Sequence, residues 1–320
     1  MNDIKVKELK HEYDANFVPS QEYLDSMPDL QNSPYTSLYP IERVGIHGFH
    51  MPLFVKRKNA GTAQEVVAEI TGMVSLEANK AGINMSRIIR TAYGTFGTEF
   101  SVDKLCEVLT NYKKDLDTFD AHIIVKFPYR MWQDALRSVK ELGKVKEGGW
   151  QYYDVCFDVT LNKDGEFRKI MYLDFVYSSA CPCSTHLSEH AALTRGVYGI
   201  PHSQRSVARI AVEFDKMIWI EDLVEVCREA LTTETLVFCK RQDEQAFAEK
   251  NGAQPKFVED AIRLLSDALN NVDKVKDFKI ICSHLESLHS HNAIAVTTKG
   301  LPSSKFDAQI TVAELESMVK

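Results

Sequence analysis

Short apolar stretches, many of them alternating with polar residues, recur along the chain from residue 43 onward and predict β-strands. The first two, residues 43–55 and 66–76, flank a turn at Asn59–Gly61 and predict an antiparallel hairpin. Asn162–Gly165 forms a second turn between two later strands. The later strands are predicted over residues 121–129, 150–161, 167–177, 207–214, 276–283 and 293–299.

Apolar residues at helical spacing predict helices between these strands. Ser101 is the expected N-cap of one of them. Residues 181–206 show neither a helix nor a strand period and are predicted to form a loop. The helices are predicted over residues 86–93, 101–116, 220–231 and 255–270.

The order of these elements indicates an α+β protein with two similar halves. Strands and helices follow one another as ββααββ and then as βααββ. Residues 1–40 have no sustained period and are predicted to be an N-terminal arm. The first half is predicted over residues 41–205 and the second half over residues 206–320.

Composition and charge exclude several classes of protein. A hydrophobic share of 44% and a charged share of 26% are typical of a globular protein, and they argue against a disordered or fibrous one. The net charge is −7, so nothing indicates binding to nucleic acid. Any anionic ligand must therefore meet a local group of positive side chains.

The chain shows no sign of membrane insertion or secretion. Its uncharged apolar runs are far shorter than the ~20 residues that cross a bilayer. Residues 1–13 alternate Lys with Asp and Glu, unlike a signal peptide. The seven cysteines are an odd number, as expected for reduced thiols. We therefore expect a cytoplasmic protein that contacts no membrane.

Residues 178–184, with the sequence SSACPCS, carry the densest chemical signal. The spacing of Cys181 and Cys183 is too short for a zinc knuckle. We expect an extended segment whose two sulfurs point to opposite sides, so that one binds a metal while the other faces a different group. Two buried structural thiols are the alternative, and the spacing does not decide between them.

Histidine and glutamate side chains further along the chain could complete a metal site. His202 lies in the segment PHSQRS, and Glu244 lies between two predicted helices. Together with a cysteine they give three ligands and leave a position for water, as catalytic zinc sites require. Residues 284–291 contain three histidines and Glu286, which with His289 could supply a hydrogen-bond acceptor and a general acid. Each of these residues alone is also compatible with a solvated loop.

Five short motifs in a fixed order resemble the type IB GTP cyclohydrolase family of prokaryotes. Their order and approximate spacing agree from about residue 43 to about residue 299, which is most of the chain. Five motifs in order make chance agreement improbable. The motifs are Cys181-Pro-Cys183-Ser184, residues 201–206 (PHSQRS), 240–245 (KRQDEQ), 255–260 (PKFVED) and 286–291 (ESLHSH).

The resemblance implies the tunnelling fold, with two α+β halves in tandem. Each half has an antiparallel sheet with its helices on one face, and the subunits form a homotetramer. The resemblance also implies an enzyme that hydrolyses GTP to 7,8-dihydroneopterin triphosphate and formate. That reaction is the entry to folate and to 7-deazaguanine tRNA-modification pathways.

The same resemblance implies a metal site and its ligands. By position, Cys181, His202 and Glu244 look like the metal ligands. One divalent ion per site is implied, as zinc, manganese or iron. Such an ion lowers the pKa of a bound water, and attack of water at C8 of guanine opens the imidazole ring.

Three further residues look like the substrate-handling groups of the family. Cys183 resembles the active-site thiol, and His289 resembles the proton donor to the leaving nitrogen. Glu286 resembles the anchor of guanine, since a carboxylate accepts hydrogen bonds from guanine N1–H and N2–H₂ and rejects adenine.

The triphosphate requires cations, and one position departs from the family pattern. Arg87 and Arg205 are the candidate phosphate-binding residues, with Lys240 and Arg241 as further cations. Asn84 stands where family members often have histidine. An amide does not donate a proton from a charged state, so no acid–base role is carried over to this position.

Three other functions remain open on the sequence alone. An archaeal-type cyclohydrolase of the same fold gives a cyclic phosphate and prefers ferrous iron. A non-catalytic tunnelling-fold protein could hold a purine or pterin through Glu286. A redox-active thiol pair at Cys181 and Cys183 is disfavoured, because the usual redox spacing has two intervening residues.

Overall fold

The protein is described by a computed structural model over residues 13–31, 33–35, 37, 39–58, 61–140 and 145–318. The strands in these ranges are β1 (Ile41–Val55), β2 (Gln64–Leu76), β3 (Glu99–Phe100), β4 (Ala121–Val139), β5 (Lys146–Leu161), β6 (Phe167–Ala180), β7 (Ser203–Phe214), β8 (Val275–His284) and β9 (Ala293–Thr298). They form one sheet in the order β3-β1-β2-β4-β5-β6-β7-β8-β9. Neighbouring strands pair antiparallel, apart from the parallel pair of β1 and β3.

Helices connect the strands much as the sequence predicts. They are α1 (Gln21–Asp25), α2 (Met85–Phe96), α3 (Val102–Leu116), α4 (Pro182–Arg195), α5 (Ile220–Leu231), α6 (Arg241–Ala253), α7 (Val258–Asn270) and α8 (Val312–Ser317). Ser101 caps α3 as predicted, because its hydroxyl accepts a hydrogen bond from the Lys104 backbone N–H at 3.2 Å. The hairpin of β1 and β2 is confirmed. In its predicted turn, Asn59 and Ala60 lie outside the described residues.

The hydrophobic core lies between one face of the sheet and the amphipathic helices. In β4 every second side chain from Ala121 to Met131 is buried, as expected for a strand with one covered face. The buried faces of α2, α3, α5 and α7 belong to the same core. Phe100, Phe127 and Phe157 pack together there, with ring centroids 5.1–6.1 Å apart. The predicted α+β class is confirmed, with these helices on one face.

The short helix α8 is an addition on the opposite face of the sheet. Met318 packs there with Val207 of β7 and Ile281 of β8 in a small separate cluster. On the same face the Arg209 guanidinium pairs with Asp174 and donates to Ser317 Oγ at 2.6 Å. The C-terminal segment therefore covers part of the sheet that the main helices leave open.

The order of elements repeats across a continuous sheet. The run β1β2α2β3α3β4β5 is followed by β6α4β7, then α5, α6 and α7, then β8β9, so the two runs agree apart from the short β3 and the inserted α4. This repeat has its centre at the Asn162–Gly165 turn, whereas the predicted boundary between residues 205 and 206 falls inside β7. The division into halves stays a prediction, and the order of elements favours the turn as its position.

Four helices were not predicted: the short α1 and α8, and the longer α4 and α6, which carry no apolar stripe. Residues 181–206 were predicted to be a loop, but most of them form α4, which begins with Pro182 and ends at Gly196 in the left-handed conformation. No residue of α4 is buried. In α6 only Asp243 and Ala246 are buried.

The helices that the structure describes include none with the length and apolar character of a membrane span.

Candidate active site

Three strand ends meet at one edge of the sheet and bring predicted site residues together. The pairing of Ala180 with Ser203 places the end of β6 beside the start of β7, and the pairing of Ser206 with His284 adds the end of β8. Cys181 follows β6, and its backbone N–H donates to the carbonyl of His202 at 3.1 Å. His202, which precedes β7, donates its own backbone N–H to Ser184 Oγ at 3.2 Å. The chain thus holds Cys181 and His202 side by side.

The side chains of His202 and Glu286 face each other at this edge. His202 Nδ1 lies 3.6 Å from Glu286 Oε2 and 3.2 Å from Gln204 Oε1. The side chains of His202 and Glu286 are only 16% and 12% exposed, so water screens their interaction poorly. Within the described residues, His202 Nε2 has no hydrogen-bond partner. That nitrogen is the ring atom left for a ligand.

A buried polar chain lies directly beneath these two residues. Gln204 Nε2 donates to Ser179 Oγ at 3.0 Å, and this hydroxyl lies 2.8 Å from Ser206 Oγ and 3.3 Å from His284 Nδ1. The chain ends at the Tyr177 hydroxyl, 2.9 Å from His284 Nε2. Burial, with a smaller effect of the nearby positive charge of Lys256, lowers the pKa of His284 to about 4. The imidazole is therefore neutral near pH 7, with both ring nitrogens hydrogen-bonded.

Lys256 is a buried cation next to this polar chain. It is 4% exposed, and its backbone N–H donates to the carbonyl of Ala180 at 3.1 Å. Its ammonium donates to Thr233 Oγ1 at 3.1 Å and to the Gln254 carbonyl at 2.7 Å, and within the described residues it forms no ion pair. Burial, together with the positive charge of Lys250, lowers the pKa of Lys256 to about 8.

We expect Lys256→Met to stabilise the protein at pH 7 by about 2 kcal/mol. A folded pKa of about 8, below the ordinary 10.5, corresponds to a penalty of about 3 kcal/mol for the charged side chain, part of which its hydrogen bonds offset. Between about pH 8 and 10.5 the unfolded chain binds more protons than the folded protein, so wild-type stability rises and the gap to the variant closes. Urea unfolding at fixed protein concentration from pH 7 to 11 measures the gap.

Lys274→Met is the matched control for this prediction, because Lys274 is an exposed lysine just before β8. The control should leave the pH dependence of wild-type unfolding unchanged. A gap between wild type and Lys256→Met that stays constant from pH 7 to 11 contradicts the assignment of a depressed pKa to Lys256.

The two cysteines lie at the start of a helix and not in an extended segment. Cys181 is the N-cap residue of α4 and is half-buried, whereas Cys183 lies in the first turn and is exposed. The expectation that the two sulfurs point to opposite sides of an extended segment is therefore wrong twice, because residues two apart in a strand share one face and because this segment begins a helix. The two thiols differ in exposure because Pro182 starts the helix between them.

The remaining predicted residues lie on other elements. Glu244 is exposed in the first turn of α6. Arg87, on α2, donates from Nη1 to the Asp115 carbonyl at 2.8 Å. Arg205 is an exposed residue of β7. His289 is exposed after β8 and stacks on His291 with ring centroids 4.8 Å apart.

The edge fits a divalent metal in donor chemistry, although the described conformation does not assemble three ligands. The backbones of Cys181 and His202 are hydrogen-bonded neighbours, and the sulfur and nitrogen donors of these two residue types suit zinc, iron and similar ions. In the part of the chain that the structure describes, no group of three or more His, Cys, Asp or Glu side chains could hold a metal ion. Glu244 is the predicted third ligand, and its side chain is not gathered with the other two.

Sequence reasoning missed the buried polar residues of this edge, although a signal for them is present. Ser179, Gln204 and His284 lie on the core-facing side of β6, β7 and β8, where the alternation places apolar residues further along each strand. Polar residues that continue an apolar face are costly unless they are hydrogen-bonded. Three such residues at adjacent strand ends indicate a built polar pocket.

Comparison of the fold and the sequence with known proteins defines the class and then the family. The uricase from Arthrobacter globiformis superposes with a TM-score of 0.51 and 8% identity, over 83% of this chain and 96% of that chain. This likeness concerns the fold alone, and it agrees with a tunnelling fold. The family described as "Type I GTP cyclohydrolase folE2" matches residues 27–295. The chain belongs to this family.

Relatives of high identity support the same assignment. The protein named "GTP cyclohydrolase FolE2" of Dinoroseobacter shibae is 48% identical over 301 residues, which cover 91% of this chain and 79% of that protein. Its namesake in Paracoccus denitrificans is 45% identical over 299 residues, which cover 91% of this chain and 90% of that protein. The resemblance seen in the motifs is thereby confirmed at the level of the GTP cyclohydrolase family.

Proposed function

We propose that this chain is a metal-dependent GTP cyclohydrolase of type IB. It converts GTP and water to 7,8-dihydroneopterin triphosphate and formate, and it acts in the cytoplasm at the start of folate or 7-deazaguanine synthesis. The observation that carries the proposal is the family match over residues 27–295, which contains all five motifs of the candidate site. The pairing of Cys181 with His202 at the strand edge supports it.

Cys181, His202 and Glu244 are the residues that hold the divalent ion in this proposal. When bound, such an ion lowers the pKa of water toward neutrality and thus supplies a nucleophile for C8 of guanine. His202 has its Nδ1 engaged by oxygen acceptors, which leaves Nε2 for the ion. Glu244 is exposed at the start of α6, so its side chain can move toward Cys181 and His202 without leaving a buried position.

The substrate is bound and protonated by side chains around the same edge. Glu286 accepts hydrogen bonds from guanine N1–H and N2–H₂, and losing such paired bonds disfavours adenine by several kcal/mol. His289 is exposed and close in sequence to Glu286, and it donates the proton that the leaving nitrogen needs as the ring opens. Cys183 is an exposed thiol in the first turn of α4 that can exchange protons during the later rearrangement of the ribose. Arg205 is an exposed cation on β7 for the triphosphate.

We include a homotetramer in the proposal. The sheet ends at β9, which within the described residues pairs only with β8 and so presents a free edge. Such an edge can pair with a strand of another subunit. The cations Arg87 and Arg205 lie on different parts of one chain, on α2 and β7, and either one can serve a site formed with a neighbour.

An anaerobic assay on metal-stripped protein tests the proposed reaction. The protein is reloaded separately with Zn²⁺, Mn²⁺ and Fe²⁺ and given GTP. We expect formate release with at least one metal. After oxidation the fluorescent product should be a neopterin triphosphate, which becomes free neopterin only on treatment with phosphatase. Metal-stripped protein should release formate at a small fraction of that rate.

The other outcomes separate the alternative functions. A cyclic phosphate product, strongest with Fe²⁺, identifies the archaeal-type reaction. GTP binding without formate release under any metal leaves a purine-binding protein and rejects the catalytic proposal. ATP serves as the specificity control, because adenine offers Glu286 neither of the two donors.

A further inference from the structure

Among the described residues, the side chain of Gln204 is hydrogen-bonded to both His202 and Glu286. It is 9% exposed, at the start of β7, with its amide between the two residues. Its Oε1 lies 3.2 Å from His202 Nδ1, and its Nε2 lies 3.0 Å from Ser179 Oγ and 3.5 Å from Glu286 Oε1. One amide therefore links the candidate metal ligand, the candidate guanine anchor and the buried polar chain.

The surroundings of the amide fix which end faces His202. A carboxylate only accepts hydrogen bonds, so the Gln204 NH₂ group must face Glu286. The reverse orientation places the amide oxygen against the Glu286 carboxylate, where two acceptors repel. With the NH₂ group directed to Glu286 and Ser179, the oxygen is the atom left to face His202 Nδ1. An acceptor opposite Nδ1 requires the proton of neutral His202 to reside on Nδ1.

We infer that Gln204 is a positioning residue that holds the proton of His202 on Nδ1 and directs Nε2 toward the ligand of the site. Histidines that bind metals in proteins commonly donate their other ring N–H to an oxygen, which fixes both the tautomer and the ring orientation. The carboxylate of Glu286 is 3.6 Å from the same nitrogen, further than the amide oxygen, so the amide is the nearer acceptor. This inference rests on the proposed function, because it takes His202 as a metal ligand.

With Gln204 in this role, His202 and Glu286 have separate tasks, one toward the metal and the other toward the substrate. If the amide satisfies His202, the Glu286 carboxylate keeps capacity for the donors of a substrate. Ser179 Oγ in turn holds the amide through the buried chain that leads to His284 and Tyr177. The orientation of His202 is thus set by residues in the core and does not depend on the exposed segment after β8.

Cobalt(II) binding tests the inference without requiring turnover. The full-length, metal-stripped protein is titrated with Co²⁺ in competition with a chelator, and the visible absorption of the bound ion is followed. We expect Gln204→Met, which keeps the size and removes the acceptor, to weaken cobalt binding by about 10–100-fold and to lower kcat for formate release similarly. Gln133→Met is the matched control, since Gln133 is a 7% exposed glutamine bonded to the Thr235 carbonyl and the Val237 N–H.

Gln204→Glu distinguishes positioning from a structural role. The carboxylate keeps an acceptor opposite His202 Nδ1, so cobalt binding should stay within about three-fold of wild type. A merely structural role predicts the opposite order, because a buried carboxylate next to Glu286 is costlier than a thioether. Ser179→Ala, which removes a partner of the amide and little volume, should weaken cobalt binding by about three-fold and provides a second test if the Gln204 variants fold poorly.

Each outcome separates this inference from the proposed function. Wild-type turnover with unchanged cobalt affinity in Gln204→Met overturns the inference and leaves the function standing. Weaker cobalt binding in Gln204→Met, with rescue by Gln204→Glu, supports the inference even if wild type releases no formate. If the wild-type protein binds no cobalt, both the inference and the proposed metal dependence are overturned. If Gln204→Glu binds cobalt more weakly than Gln204→Met, the inference alone is overturned.

Discussion

Replacing Cys181 by alanine should lower kcat/KM for formate release from GTP by about 10³-fold or more. The thiolate is one of three proposed ligands, and its loss weakens retention of the ion that activates water. The rate falls about tenfold for each 1.4 kcal/mol of transition-state stabilisation that is lost, and loss of a ligand removes several kcal/mol. The fold should tolerate the change, because Cys181 holds His202 through its backbone N–H and not through sulfur. Formate release and the metal content after dialysis provide the measurement.

Cys106→Ala is the matched control, because Cys106 is also a half-buried thiol but lies on α3 among the helices. It should keep the wild-type rate and metal content. Equal activity in Cys181→Ala and wild type contradicts the proposed ligand set. Loss of activity with full retention of metal assigns Cys181 to substrate handling instead.

Most of the fold could be predicted because its elements carry strong periodic patterns. The alternation in β4 and the helical spacing in α3 both reflect a single buried face, and the structure confirms each element. The helices α4 and α6 could not be predicted in this way, since burial provides almost none of their stability. Their termini are set by local chemistry, including Pro182 at the start of α4 and the capping carboxylate of Asp243 in α6.

The site could be predicted less completely than the fold. Residue type and motif order indicated Cys181 and His202, and strand register explains why they are neighbours. Nothing in the spacing of Glu244 shows where α6 lies relative to β6, so the third ligand remains a prediction. The role of Gln204 depends on which atom of an amide faces which neighbour, and that geometry is set only when three strands align.

Replacing Asp243 by alanine should destabilise the folded protein by about 3–4 kcal/mol at pH 7. Asp243 is fully buried and joins the end of β4 to the start of α6. Its carboxylate accepts from the backbone N–H groups of Arg137 (2.7 Å), Ser138 (3.0 Å) and Lys240 (3.0 Å), and also from the Ser138 hydroxyl. Alanine leaves these donors without their acceptor, and buried unpaired donors are costly.

The effect of this substitution should depend on pH with a defined sign. Burial opposes ionisation of Asp243, but hydrogen bonds from the Ser138 side chain and from the three backbone N–H groups outweigh it and hold the pKa of this carboxyl well below its ordinary value of 3.8. A carboxyl with a lowered folded pKa adds stability above its unfolded pKa and loses it as the pH falls below that value. The difference between wild type and Asp243→Ala should thus be largest near neutral pH and shrink below about pH 4.

Asp260→Ala separates this effect from ordinary helix capping. Asp260 occupies the equivalent position in α7, but it is partly exposed and, within the part of the chain that the structure describes, accepts from only one backbone N–H, that of Phe257 at 3.0 Å. Its loss should cost only about 1 kcal/mol. Urea unfolding of wild type and both variants from pH 7 down to about pH 3, at one protein concentration, decides the matter. Equal losses in the two variants would reduce Asp243 to a simple cap, whereas a larger, acid-sensitive loss makes it the link that sets α6, and with it Glu244, against the sheet.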